Sequence, residues 1–246
     1  MPTGLVDQVD ARIRSDQRTR RLFVVWQNPE TRQFVHVAHL DVDVDGQYVF
    51  EYEPDAEQVP GFDGFAAFPD LHHRYRSDRL FPFFTNRVLS PRRTEYETYL
   101  DALDITDDEQ APVELLARSG GTRATDTVHI VPEPLTEPDG RQVLLFLASG
   151  TRHLESASER ISRLSTGDEL LLRPEPDNPV NPNALLLDNT TGEPVGWVPD
   201  YLLDVVGDYR ARGPVQVFVE RANGPDAPPH LRLLCRLEAQ PSPSGG

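Results

Sequence analysis

Two short apolar-rich runs, residues 22–26 and 34–38, flank the turn-forming Asn28-Pro29-Glu30-Thr31, and that spacing predicts a β-hairpin. Residues 47–52 predict a third strand. The period then changes. Tyr96, Tyr99, Leu100 and Leu103 recur at helical intervals behind a Thr94-x-x-Glu97 capping box, which predicts a helix over about 95–103. A second box, Thr106 to Glu109, opens a helix expected to run to about Arg118, where Ser119-Gly120-Gly121 stops it.

Beyond the glycine pair the pattern is again one of strands, expected over 142–148, 169–173, 183–188, 215–219 and 231–237. In the last two, Val215/Val217/Val219 and Leu231/Leu233/Cys235/Leu237 alternate with more polar neighbours, the period of a half-buried sheet. Two short helices interrupt them. One follows the capping box Ser156 to Glu159 and carries Ile161 and Leu164; the other opens at Pro199-Asp200 and carries Leu202, Val205, Val206 and Tyr209 before Gly213. The fold class expected is α+β, mainly β: a small α+β domain, then a small closed or partly closed β-barrel with two short helices.

These elements divide the chain into a tail over 1–21, an α+β domain over 22–118, a linker or bridging strand over 119–140, a barrel domain over 141–240 and a tail over 241–246. Pro132-Glu133-Pro134 and Pro138-Asp139-Gly140 are the reason for placing the linker there. The first tail holds five arginines from Arg12 to Arg21, so it reads as a solvated arm, with a basic arm for nucleic acid as the functional alternative.

Composition narrows the chemistry. The 24 cationic side chains are all arginine, set against 40 acidic ones, for a net charge of −16. Without lysine neither a P-loop nor a protein-kinase phosphate clamp can be complete, and lysine Schiff bases are excluded too. A single cysteine forms no internal disulfide, and no apolar run approaches the roughly 18 residues of a membrane span, so a cytoplasmic protein with no membrane contact is expected. The acidic balance opposes non-specific binding to polyanions and leaves room only for a local pocket.

Several motifs invite a functional reading and have a structural one beside it. Asp41-Val42-Asp43-Val44-Asp45-Gly46 imitates the start of a calcium loop, but Tyr52 occupies the twelfth position where a bidentate glutamate belongs, which favours a strand-to-strand turn. His36 and His39 would point to opposite faces of an extended strand, and no zinc spacing accompanies them; no metal and no cofactor is expected. Cys235, on the apolar face of an alternating strand, reads as a buried structural thiol. From Arg74 to Arg87 arginines interleave with Phe81, Phe83 and Phe84, a combination suited to stacking on bases; the reading favoured is structural, the phenylalanines filling the first core while the arginines neutralise the acidic helix that follows. No nucleophile, base or paired-acid constellation emerges, so no catalytic residue and no enzymatic activity is expected.

Four stretches, taken in order, carry a resemblance. Gly150-Thr151-Arg152-His153, Leu164-Ser165-Thr166-Gly167-Asp168, Asp177-Asn178-Pro179-Val180-Asn181-Pro182-Asn183-Ala184 and Val195-Gly196-Trp197-Val198-Pro199 resemble the motifs of a HIRAN domain over roughly residues 141–238. More weakly, Tyr48-Val49-Phe50-Glu51-Tyr52, Phe68-Pro69-Asp70 and residues 80–87 resemble the small N-terminal subdomain of HipA-type proteins, without the kinase body.

The HIRAN resemblance implies an OB-like barrel and a non-enzymatic nucleic-acid-binding module recognising single-stranded DNA, strand ends included, in DNA repair, processing or defence. It implies a nucleic-acid-binding set of Arg152, His153, Asn178, Asn181, Asn183 and Trp197: arginine for phosphate, histidine and tryptophan for stacking, and the asparagines of the Asn-Pro loop for polar contacts. Two positions depart from the DNA-binding pattern, Val180 for an aromatic and Asn181 for an aspartate. Those departures keep a second reading open, a protein-interaction adaptor whose barrel has lost DNA binding, and in either reading the N-terminal domain is expected to contact a protein partner. The loop also has a purely structural reading, since asparagines and prolines at this spacing build a tight turn between strands.

Overall fold

The computed structural model describes residues 20–43, 45–106, 111–123 and 126–240. The tails expected over 1–21 and 241–246, Arg20 and Arg21 apart, lie outside the described residues, as does Glu109 of the second capping box. Among the described residues the fold is α+β and mainly β, built on two antiparallel sheets.

The first sheet holds β1 (Arg20–Gln27), β2 (Phe34–Val42), β3 (Tyr48–Tyr52), β4 (Tyr75–Ser77) and β5 (Val128–Pro132), in the order β4-β3-β2-β1-β5. The predicted hairpin is β1–β2. Residues 119–140 do more than link: β5 pairs with β1 from Leu22↔Pro132 to Trp26↔Val128, and β6 (Leu135–Thr136) then joins the second sheet. At the β2–β3 turn, Asp41 forks onto Arg21 (2.7 and 2.8 Å), while the Asp43 carboxylate accepts from the backbone of Asp45 and Gln47. Those two aspartates are thus used by the sheet and the turn.

One face of this sheet buries Leu22, Val24, Trp26, Leu40, Phe50 and Ile130 under an aromatic cluster. The Arg/Phe stretch supplies part of that cover: in α1 (Pro82–Thr85) and just before it, Phe84 is buried, and Phe81 and Phe83 pack edge-on against Phe68, itself stacked on Phe50 at 3.8 Å. The arginines do not neutralise the following helix as expected. Arg74 pairs with Glu51 and Arg87 with Asp126, because the folded sheet brings those carboxylates closer than any on α2 (Tyr96–Ala102).

In β2, a β-bulge leaves Val37 without a partner in β1, between His36↔Val25 and Ala38↔Val24. The extra residue shifts the alternation by one. His36 and His39 therefore share a face, and both reach Glu53 Oε1, at 3.3 and 2.9 Å. Strict period-2 alternation had placed them apart.

Helix α3 (Ala111–Ser119) lies between the two sheets, with Val113, Leu116 and Ala117 in the first core and Ala111 and Leu115 clustered with Leu147 and Leu234, and α2 packs beside it in that second cluster. Thr94 does not cap α2; the cap position is Glu95, already helical in backbone conformation, and no side chain closes it. Ser156 does precede α4 (Ala157–Ile161), but at φ 59° its hydroxyl makes no capping bond either.

The second sheet adds β7 (Gln142–Leu147), β8 (Glu169–Pro174), β9 (Leu185–Asp188), β10 (Pro194–Trp197), β11 (Val215–Ala222) and β12 (Leu233–Ala239), in the order β10-β9-β8-β11-β12-β7-β6. Its ends meet. Ser149, just past β7, exchanges two backbone hydrogen bonds with Trp197 at the end of β10 (2.8 and 3.0 Å), closing the sheet at that corner into a barrel-like body. Inside lie Leu144, Phe146, Leu187, Val217, Val219, Cys235 and Leu237, with α4 and α5 (Leu203–Arg212) contributing Ile161 and Val206. Cys235 is fully buried and burial pushes its thiol well up, so it is an inert core group.

The two sheets share packing. Val25 and Val131 join the barrel core, Leu147 and Leu234 pack with α2 and α3, and Arg221 reaches Asp101 and Asp104. At this junction His129 stacks on Tyr201 (4.9 Å) with Phe34 at its edge, and burial pushes its imidazole down to about 4. The native state then keeps His129 neutral where the unfolded chain protonates it, so between about pH 6.5 and 4 the unfolded state binds more protons and stability falls as pH falls. We expect His129 to account for a loss of about 2 kcal/mol between pH 7 and 4.5. Urea titrations at both pH values check this: His129→Phe should lose that much less than wild type, and equal losses would refute it.

Candidate functional site

The closing corner of the barrel is also where three of the four resembling motifs meet. Gly150 turns the chain out of β7 with a left-handed φ of 68°, and Thr151, Arg152 and His153 form one 3-10 turn. Thr151 anchors the turn by donating to the Pro229 carbonyl (2.7 Å). Arg152 and His153 project into solvent, and among the described residues the Arg152 guanidinium meets only His153 Nε2, at 3.0 Å.

Trp197 lies across Gly150. A Cβ at position 150 would stand 2.8 Å from Cζ3 of the indole and closer still to Cε3, so the ring needs glycine beneath it. Its Nε1–H donates to Glu175 Oε2 (2.8 Å), and the same oxygen accepts from Asn178 Nδ2 (2.6 Å). Glu175, at the exit of β8, thereby ties the closing tryptophan to the Asn-Pro loop. Those two hydrogen bonds, that from Asn178 first, hold its carboxyl below the usual range. Arg173, the nearest cation in sequence, is instead committed to Asp188 at 2.5 and 3.1 Å.

The asparagines work mainly inside the loop. Asn178 Oδ1 accepts from the backbone N–H of Val180 and Asn181 (2.9 and 3.1 Å), and Asn181 Oδ1 accepts from that of Asn183, while Asn181 Nδ2 donates to Asp200 (3.2 Å). These are side-chain-to-backbone turns of the kind Asn favours. Val180 is left at the tip, 83% exposed. Asn183 is exposed and lines a separate open hollow of about 510 Å³ between this loop and α5, together with Pro182, Leu185, Leu203, Asp204 and Asp208.

The fold therefore brings Arg152, His153, Trp197 and Asn178 to one corner, with Asn181 behind them on Asp200 and Asn183 turned toward α5. Sequence reasoning missed Glu175, the hub of the arrangement; a carboxylate isolated between Pro174 and Pro176 at a strand exit was the available signal. No group of three or more His, Cys, Asp or Glu side chains among the described residues is placed to hold a metal ion, and no helix among them is long and apolar enough to cross a membrane.

Neither a scan against protein families nor a search of curated proteins finds a match for this chain. Among solved structures, it has a likeness to a HIRAN domain. That solved structure is the crystal structure of the HIRAN domain of human HLTF, 16% identical at a TM-score of 0.30, over 39% of this chain and 74% of that one.

Proposed function

We propose that the barrel is a non-enzymatic module that holds single-stranded nucleic acid at its closing corner, DNA strand ends being the finer form of the reading. The observation that carries it is Arg152: an exposed guanidinium with no carboxylate partner among the described residues, on the turn beside the half-buried indole of Trp197. A planar cation suits a phosphate, and an indole edge offers a stacking surface for a base, each stack contributing about 1–3 kcal/mol. The order of motifs that resembles a HIRAN domain supports the same reading, and the likeness of the N-terminal part to HipA-type proteins rests on sequence alone.

Fluorescence anisotropy with a short labelled oligo-dT, at low and then moderate salt, tests it. Binding at low salt is expected, and Arg152→Ala should weaken it and lower the salt slope by about 0.7, the contribution of one phosphate on a single strand. Oligonucleotides with free and blocked ends then resolve end preference. No binding at low salt would end the nucleic-acid reading. The adaptor reading is favoured by a different observation: the amides of Asn178 and Asn181 are engaged within the loop, and the carboxylates of Glu175 and Asp200 stand at the site. It predicts an intact fold with no oligonucleotide affinity and a partner protein that docks on the exposed Val180 tip.

A further inference from the structure

The carboxylate of Glu175 is an unexpected group in a site read as a phosphate binder. It sits at the indole edge of Trp197 with both of its hydrogen bonds directed to site residues, and the neighbouring Arg173 makes its hydrogen bonds to Asp188, acting on Glu175 only through its charge. We propose that Glu175 is the positioning residue of the closing corner, fixing the plane of Trp197 and the Asn178 loop, and that its charge makes the Trp197 position a subsite for a base rather than a phosphate. The inference rests on the nucleic-acid reading for its second half only.

Three restraints meet on Trp197. Its backbone closes the barrel through Ser149, its ring lies on Gly150, and its Nε1–H is held by Glu175. The first two fix where the ring starts and what lies beneath it; the third sets its rotation about the side-chain bonds. The same oxygen takes Asn178 Nδ2, whose own carbonyl shapes the loop through Val180 and Asn181. One carboxylate oxygen thus orients both walls. Ionised, and with Arg173 acting on it only at a distance while bonded to Asp188, it disfavours a phosphate at the ring edge and leaves Arg152, on the turn across Gly150, as the phosphate contact. A neutral base face suffers no such repulsion.

The two tryptophans, Trp26 and Trp197, give two indole N–H proton resonances, of which Trp26 is the internal reference. In the full chain, Glu175→Ala should move the Trp197 resonance toward the free-indole position and weaken oligo-dT binding about tenfold. Glu175→Gln keeps an acceptor oxygen without the charge, so it should keep the resonance near wild type and bind oligo-dT about threefold more tightly. Arg152→Ala should weaken binding with no movement of the resonance. A Glu175→Ala protein with unchanged resonance and affinity overturns the positioning assignment, and a Glu175→Gln protein that binds no more tightly than wild type overturns the subsite assignment. If wild type binds no oligo-dT but Glu175→Ala still shifts the resonance, positioning stands and the base subsite falls together with the nucleic-acid reading.

Discussion

Asp126→Ala is expected to destabilise the protein by about 3–5 kcal/mol, because it strands a buried guanidinium. The Arg87 side chain is only 2% exposed; Nη1 and Nη2 donate to the two Asp126 oxygens at 3.1 and 2.6 Å, and Nη1 also reaches the Gly121 carbonyl. Nε has no partner among the described residues, and the Phe83 ring lies 4.6 Å from the guanidinium. With Asp126 removed, one carbonyl and one aromatic face remain to replace the water Arg87 gave up on folding. Asp126 Oδ1 additionally accepts the Val128 N–H at the start of β5, so the edge strand that pairs with β1 loses its entry as well. Urea denaturation with linear extrapolation measures the loss. The double replacement Arg87→Met/Asp126→Ala should recover much of it, since no uncompensated charge is then buried. A single-variant loss below about 1 kcal/mol would mean that water reaches Arg87 and that the pair behaves as a surface one.

The same pair explains what was legible in the sequence and what was not. The β1–β2 hairpin and the strands around 142–147, 215–222 and 233–239 were readable because period and turn residues lie within a few positions of each other. Residues 119–140 were legible only as a linker or bridging strand, with no way to choose between the two, because β5's partner β1 is some hundred residues upstream and Pro132-Glu133-Pro134 at its end reads locally as a linker. Long-range pairing also decided the arginines: Arg87 finds Asp126 and not the nearer acids of α2. A one-residue bulge at Val37 overturned the assignment of His36 and His39 to opposite faces, since no composition signal marks where a strand takes its extra residue. At the site, Arg152, His153, Asn178 and Trp197 were named from motif order and do converge. The asparagines proved to be spent largely on their own backbone, and Glu175, which holds the corner together, belongs to no periodic pattern.

Gly150→Ala is expected to lower stability by about 3 kcal/mol and to abolish whatever ligand binding the corner supports. Two effects add. An L-residue held in the left-handed region costs about 1–2 kcal/mol, and φ here is 68°. The new methyl would also stand 2.8 Å from Trp197 Cζ3, and the ring cannot simply swing aside because its Nε1–H is bound to Glu175 and its backbone closes the barrel on Ser149. Displacing the indole therefore gives up a hydrogen bond to a carboxylate, which contributes about 1.5–3 kcal/mol, part of which water restores. Gly167 separates the two effects, since its φ is 91° but a Cβ there meets nothing within 4 Å. Gly167→Ala should show the backbone penalty alone, about 1 kcal/mol, with an unmoved Trp197 indole resonance. If the two alanine variants lose equal stability, the indole yields to the methyl without resistance and the corner is not held as tightly as Glu175, Gly150 and Ser149 together require.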